Sequence, residues 1–304
     1  MDNLTNPWEV DSLLRSQVSL APFTTFRVGG PAERLVLPRS LEQLQASVSW
    51  AKEQDLPLTF LGAGSNLLIS DQGLPGLVIC TRYWRHTQFD EATGQVTAAA
   101  GEPLPTLAWK AAKRGWRGLE WAVGIPGTVG GAVVMNAGAH GACTADIFHQ
   151  AQVFDSIQGI TALEPEDMGF QYRTSVLQVQ PQLLVQATFQ LEPGHDPQVV
   201  TADTLADLEQ RRATQPYDLP SCGSVFRNPT SHSAGWLVEQ CGLKGYRIGN
   251  AQVAERHANF ILNRGGASAA DILRLIHYVQ DQVEARWALR LKPEVKMLGE
   301  FPPV

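Results

Sequence analysis

Apolar residues cluster in the stretch AERLVLP, then fall at Leu41, Leu44, Val48 and Ala51, then cluster again from Leu58 to Leu61. The first and third stretches predict strands. The middle one, with its three- and four-residue steps, predicts a helix with one buried face. Ser40 stands where an N-cap belongs, and Pro57 opens the next element. Strand, helix and strand make a small βαβ unit that runs straight into the glycines of LGAGSN. From about Leu77 to Leu191 short strands dominate, in GLVIC, GQVTAAAG, HQAQVFD and LLVQATFQL, interrupted by one helix near Leu104–Arg114 that stops at Gly115. Loop residues then gather at Pro193, Gly194 and Pro197 ahead of a polar helix, TADTLADLEQRRATQ, and this shift is read as a domain boundary. The last third reads as α+β. Its strongest helix has Ser268 as cap, Asp271 three residues on, and a buried stripe of Ile272, Ile276, Val279 and Val283.

Length adds that 304 residues suffice for roughly two domains. With 44% hydrophobic and 18% charged residues the chain can bury a core. A net charge of -6 lacks the basic footprint of a nucleic-acid binder but leaves room for a local arginine cluster facing an anionic small molecule. Cys80, Cys143, Cys222 and Cys241 form no CxxC pair and read as reduced thiols. The start MDNLTNPWEV has neither the basic residues nor the apolar run of a signal peptide, and no apolar run is long enough to span a membrane. These features predict a cytoplasmic protein without membrane or nucleic-acid partners. The scattered histidines predict no metal site.

Two glycine-rich stretches bear on chemistry. LGAGSN follows a strand, as a phosphate loop does, but no Gly-Lys-Ser/Thr follows it, and Leu67 occupies the third glycine position of a dinucleotide fingerprint. The second stretch, VGIPGTVGGAVVMNAGAHG, packs six glycines between Gly124 and Gly141. Such backbone can approach a ligand closely and cradle a pyrophosphate with its N–H groups, while Ser65, Asn66, Thr128 and Asn136 add side-chain donors. The plainer alternative is a chain of close-packed turns. A third stretch, PSCGSVFRNP, sets Ser224, Arg227 and Asn228 between prolines, which reads either as a turn entering a strand or as a substrate loop with a catalytic hydroxyl.

Taken together, GAGSN, GLEWAVGIPGTVGGAVVMNAGAHG, YRTS, PSCGSVFRNP, AGWLVEQCGLKGYRIGNAQVAERHANFILN and LKPEVKMLGE resemble the UDP-N-acetylenolpyruvoylglucosamine reductase family in order and spacing, from about Phe23 to Glu300. The resemblance implies an α+β fold with three parts: an N-terminal extension (1–22), a vanillyl-alcohol-oxidase (PCMH) type FAD-binding domain (23–192) and an α+β substrate domain (193–304). Within the FAD domain it implies a small subdomain at about 23–75 and a larger one at about 76–192. It implies FAD as cofactor, NADPH as reductant, a UDP-sugar substrate and a monomer. For FAD it implies Gly62, Ala63, Gly64, Ser65, Asn66 and Leu67 from the first loop. From the second it implies Ile125, Pro126, Gly127, Thr128, Gly130, Gly131, Asn136 and Gly138. The family's catalytic arginine falls on Arg173, its proton-donating serine on Ser224 and its glutamate on Glu294, while Asn228 and His257 match substrate-contacting positions. The short segment after Arg173 lacks the tyrosine-bearing insertion of the family's long form.

The implied reaction reduces an enolpyruvyl ether. Hydride addition at C3 builds negative charge at C2 and its carboxylate, which an arginine can grip bidentately. A serine is a weak acid, yet it suffices toward a strongly basic enolate-like carbon. Glu294 either polarises the enolate as the acid or orients the proton path. Arg227 either balances the diphosphate or faces outward. Two rivals stand beside this reading. Another flavin oxidoreductase on the same FAD domain would share the glycine loops but not the Arg173, Ser224 and Glu294 set. A non-catalytic nucleotide-binding protein would share neither.

Overall fold

The computed structural model describes Val10 and residues 12–302. They fall into two compact units: the described residues up to Arg15, Arg34–Ala63 and Gly76–Arg211 form the first, and Ser16–Glu33, Gly64–Pro75 and the described residues from Arg212 onward the second.

In the first unit helix α1 (Leu41–Glu53) starts where its cap predicts, with Ser40 Oγ accepting the Gln43 N–H at 3.2 Å. Leu44, Val48 and Ala51 pack into a cluster with Leu77 and Ile79. The latter two lie on β5 (Leu74–Cys80), which pairs in parallel with β3 (Leu58–Leu61), Leu58 opposite Leu77 and Leu61 opposite Cys80. In this sheet β5 lies between β3 and β2 (Pro31–Val36), while β1 (Arg15–Ser19) belongs, apart from Arg15, to the second unit. The expected βαβ unit is therefore split, because β5 occupies the place beside β3 that adjacency in sequence assigns to β2.

A second sheet has the order β9-β8-β10-β7-β6, where β6 is Thr87–Asp90, β7 Gln95–Ala99, β8 Phe148–Asp155, β9 Gly159–Leu163 and β10 Leu183–Gln190. On one face Val96, Ala98, Ala187 and Phe189 pack with Leu104, Leu107 and Ala108 of α2 (Leu104–Ala112) and with Trp116 and Trp121. On β7 and β10, Thr97 and Thr188 stand opposite each other and join their hydroxyls at 2.8 Å. Within the second glycine stretch, expected as loop, Val129–Met135 forms a helix, α3. Thr128 caps it, and Asn136 ends it in the left-handed region with φ 42°. The polar helix α4 runs from Pro197 to Thr214, four residues ahead of its expected start. Proline suits a first helical position, and Asp196 accepts the Gln198 N–H at 2.8 Å.

In the second unit α5 (Ala234–Gln240) and α6 (Ala269–Trp287) share a core with Val225, Phe226 and Val253. Ile272, Ile276, Val279 and Val283 are buried as their spacing predicts, and Ser268 and Asp271 close the capping box. Both oxygens of Asp71 also accept from the first turn of α6, from Ala269 N–H at 2.8 Å and Ala270 N–H at 2.9 Å. Asp71→Ala is therefore expected to cost about 1 kcal/mol of stability, the worth of a helix cap, measurable as a lowered urea midpoint at unchanged slope. A three-stranded sheet of β11 (Arg247–Ile248), β12 (Ala251–Val253) and β13 (Ile261–Asn263) packs against α6 through β11 and β12. Strand β14 (Lys296–Leu298) pairs in parallel with β4 (Leu67–Ile69).

Candidate active site

The two glycine stretches meet inside the first unit. A Cβ on Gly62 would stand 2.5 Å from Thr128 Oγ1, so only glycine lets the first stretch lie against the second. The carbonyls of Leu61, Gly62 and Ala63 take bonds from one turn, from Thr81 Oγ1 at 3.4 Å, Cys80 Sγ at 3.7 Å and Arg82 Nη2 at 3.4 Å. With its carbonyls engaged there, the loop offers a ligand N–H donors and close backbone approach. That donor set suits a pyrophosphate-bearing cofactor. Gly130 is buried and donates its N–H to Ala100 at 2.9 Å, whereas Gly131 is exposed and a Cβ there would meet only Thr128 Oγ1, at 3.7 Å. Ile125 packs on the core of this unit, and Gly127 accepts the Leu104 N–H at 3.1 Å.

Two expected side-chain donors are engaged within the protein. Thr128 Oγ1 accepts the Gly131 N–H at 3.4 Å. Asn136 donates to the Gln171 carbonyl at 3.0 Å and accepts the Ala145 N–H at 2.9 Å. The first loop continues into the second unit. There Gly64 has φ +64°, Leu67 opens β4, and Asn66 donates to the Glu294 carbonyl at 3.1 Å.

Arg173 sits at the tip of a tight hairpin in which Gln171 and Thr174 exchange N–H bonds at 3.1 and 3.0 Å. Its φ of 57° is the left-handed region, a strain of about 1–3 kcal/mol for a residue with a side chain. The hairpin and a bond from Gln178 to the Arg173 carbonyl, at 3.0 Å, hold that conformation. The guanidinium donates to the Gly138 carbonyl at 2.8 Å and lies 4.9 Å from the centre of the Tyr172 ring. Arg173 is thus fastened to the end of the glycine stretch, with its cation directed by backbone carbonyls.

Ser224 and Glu294 lie 70 positions apart in sequence, and in the second unit their segments pair. Phe226 and Pro293 form an antiparallel bridge, in which Val225 accepts the Glu294 N–H at 2.7 Å and Arg227 donates to the Lys292 carbonyl at 2.9 Å. Ser224, one residue before Val225, is half-buried, as is Glu294. Cys222 is buried at 4% exposure, and its thiol is pushed well up by burial and then by the negative charge of Glu294. It is a core filler. In the native protein Cys222 is expected to resist iodoacetamide at about pH 8 and to react only on unfolding. Peptide mass spectrometry reads this out, and native labelling of Cys222 would contradict its burial.

Asn228 is exposed, and its Oδ1 accepts the Ala234 N–H at 3.0 Å at the start of α5, which leaves its amide N–H groups for a ligand. His257 Nδ1 accepts the Asn259 N–H at 3.3 Å, so the neutral ring carries its proton on Nε2. Lys296 escaped the sequence reading. Its ammonium is destabilised by burial and then by the nearby Arg227 cation, which lowers its pKa. It follows Glu294 by two residues, so in an extended segment both side chains share a face, a signal that was there to be read.

Comparison with known proteins matches residues 215–298 to the model for the UDP-N-acetylenolpyruvoylglucosamine reductase C-terminal domain, and residues 32–161 to an FAD-binding domain model. The curated UDP-N-acetylenolpyruvoylglucosamine reductase of Acaryochloris marina is 63% identical over 291 residues, covering 96% of this chain and 94% of that protein. The corresponding Nostoc sp. reductase is 61% identical over 288 residues, covering 95% and 87%. The crystal structure of the Thermus caldophilus reductase superposes with a TM-score of 0.79 at 34% identity, covering 94% of this chain and all of that one. The α+β class and the pairing of a flavin domain with a C-terminal domain stand as expected.

Proposed function

The chain belongs to the UDP-N-acetylenolpyruvoylglucosamine reductase family, and from that membership we infer how its own residues divide the work. It is an FAD-dependent oxidoreductase that uses NADPH to reduce enolpyruvyl-UDP-N-acetylglucosamine to UDP-N-acetylmuramate, a step of peptidoglycan precursor synthesis. Bound FAD supplies the hydride relay between NADPH and C3 of the enolpyruvyl group. Gly62, Ala63, Ile125, Pro126, Gly127, Thr128, Gly130, Gly131, Asn136 and Gly138 hold it, with Gly64, Ser65, Asn66 and Leu67 continuing the first loop. The convergence of Gly62 and Thr128 supports this assignment.

Arg173 grips the substrate carboxylate and stabilises the charge that hydride addition builds there. Ser224 then delivers a proton to C2. Glu294, whose N–H bonds the residue after Ser224, either polarises the enolate as the acid or orients the proton path. Asn228 and His257 offer N–H donors to the sugar. The close cations Arg227 and Lys296 suit the diphosphate better than an outward-facing Arg227 does. The observation that carries the reading is the bond from the Glu294 N–H to the carbonyl of Val225, the residue after Ser224. We place the working enzyme in the cytoplasm as a monomer, and no helix among the described residues is long and apolar enough to cross a membrane.

Absorbance provides the test. Purified protein is expected to be yellow, to bleach with NADPH under anaerobic conditions, and to regain its colour on adding enolpyruvyl-UDP-N-acetylglucosamine. A colourless protein that takes up no added FAD would sink the reading. Bleaching without recolouring would favour a different flavin oxidoreductase.

A further inference from the structure

We propose that Asn259 is a positioning residue for the proton-delivery step, setting the register of Ser224 against Glu294; the proposal rests on the role assigned to Ser224. In the bridge between Phe226 and Pro293, the flanking residues bond across, through the Val225 carbonyl and the Arg227 N–H. The antiparallel pattern then turns the N–H and C=O of Phe226 away from that partner. On that side stands the Asn259 side chain. Its Oδ1 accepts the Phe226 N–H at 2.9 Å and its Nδ2 donates to the Phe226 carbonyl at 2.8 Å. A single amide thus does the work of a neighbouring strand.

Backbone cannot easily take its place. The next residue, Phe260, is committed elsewhere, since it donates to His257 at 3.0 Å and accepts from Ala254 at 2.8 Å. Asn259 spends its own backbone on the same cluster, accepting the Val225 N–H at 2.8 Å and donating to His257 Nδ1 at 3.3 Å. Phe226 is 2% exposed and Asn259 3%, so water has no access to replace the amide. Segment 225–227 is therefore pinned along both edges, by Asn259 on one and by 292–294 on the other. Ser224 enters that pinned segment directly, and Glu294 is part of its other edge. A proton donor displaced by about 1 Å can lose roughly 10² in rate, so the amide has leverage on a step it does not touch.

Asn259→Asp keeps an acceptor for the Phe226 N–H and puts a carboxylate oxygen against the Phe226 carbonyl. In the flavin-loaded full chain, stopped-flow reoxidation by enolpyruvyl-UDP-N-acetylglucosamine is expected to slow by about 10- to 100-fold, with NADPH bleaching within about twofold of normal. In a Ser224→Ala background the same substitution is expected to slow reoxidation by less than about twofold, because a residue acting through Ser224 has nothing left to act on. Amide hydrogen exchange in the peptide holding Val225 and Phe226 is expected to rise. Should the aspartate variant fail to load flavin, Asn259→Ser carries the same cycle with a smaller polar group. Equal slowing in both backgrounds, or unchanged reoxidation with Ser224 present, overturns the positioning role while leaving Ser224 as donor. A Ser224→Ala enzyme that reoxidises normally overturns both.

Discussion

Ser224→Ala is expected to keep FAD bound and to be bleached by anaerobic NADPH at close to the normal rate, while its reoxidation by the enolpyruvyl substrate falls at least ~10²-fold. The two half-reactions differ in their need for a proton. Hydride transfer from NADPH needs no proton at the enolpyruvyl carbon, whereas completing the reduction at C2 does. A general acid used at one step is worth about 10²–10⁴ in rate, or about 3–5 kcal/mol of barrier. The serine acts in the transition state, so kcat and kcat/KM are expected to fall together. The structure adds that truncating Ser224 removes none of the backbone bonds of Val225, Phe226 and Arg227 to Asn259, Glu294 and Lys292, nor those of Phe226 to the Asn259 amide. The loss is therefore chemical rather than structural. Stopped-flow absorbance follows each half-reaction alone. A slowed NADPH step with a spared substrate step would move Ser224 to the flavin or nicotinamide side of the reaction. Arg173→Ala is expected to raise KM as well as lower kcat, since a carboxylate clamp also acts before hydride transfer.

What the sequence made legible was local. Ser40 and Ser268 cap their helices because a cap depends on residues two or three positions away. The stripe from Ile272 to Val283 was readable for the same reason: it repeats within one element. The glycine-rich helix Val129–Met135 was not foreseen. Glycines and β-branched residues are weak helix formers, and here Thr128, Asn136 and packing on the sheet override propensity. The insertion of β5 beside β3 is a pairing between distant segments, which no local period encodes. At the site, motif order singled out Arg173, Ser224 and Glu294 as candidates. The left-handed backbone of Arg173 and the amide of Asn259, 33 positions from Phe226, belong to tertiary geometry alone.

The neighbouring glycines of the second stretch separate cofactor approach from internal packing. Gly130→Val and Gly131→Val are both expected to lose FAD, for different reasons. A Cβ at Gly130 would stand 3.0 Å from Ala100 Cβ and 3.1 Å from its carbonyl oxygen, at a buried position whose N–H bonds that carbonyl. Valine there overpacks the helix against the end of β7, at a cost of about 1–3 kcal/mol. The flavin-free Gly130→Val chain should therefore melt several degrees lower, about 2–4 °C for each kcal/mol in a chain of this size. At Gly131 the Cβ meets only Thr128 Oγ1, at 3.7 Å, an ordinary contact, and the residue is exposed. Valine is no worse than glycine in a helix, so the flavin-free Gly131→Val chain should melt within about 2 °C of the parent. Its loss would appear only as the molar ratio of flavin to protein after purification, read from absorbance, near zero where the parent is near one. The comparison must use stripped protein, since a ligand bound only to the native state raises the melting temperature by itself. Full flavin retention by Gly131→Val would show that the cofactor does not lie against the exposed side of this helix. A normal melt for Gly130→Val with flavin retained would show that Ala100 gives way, and that the glycine there serves neither purpose.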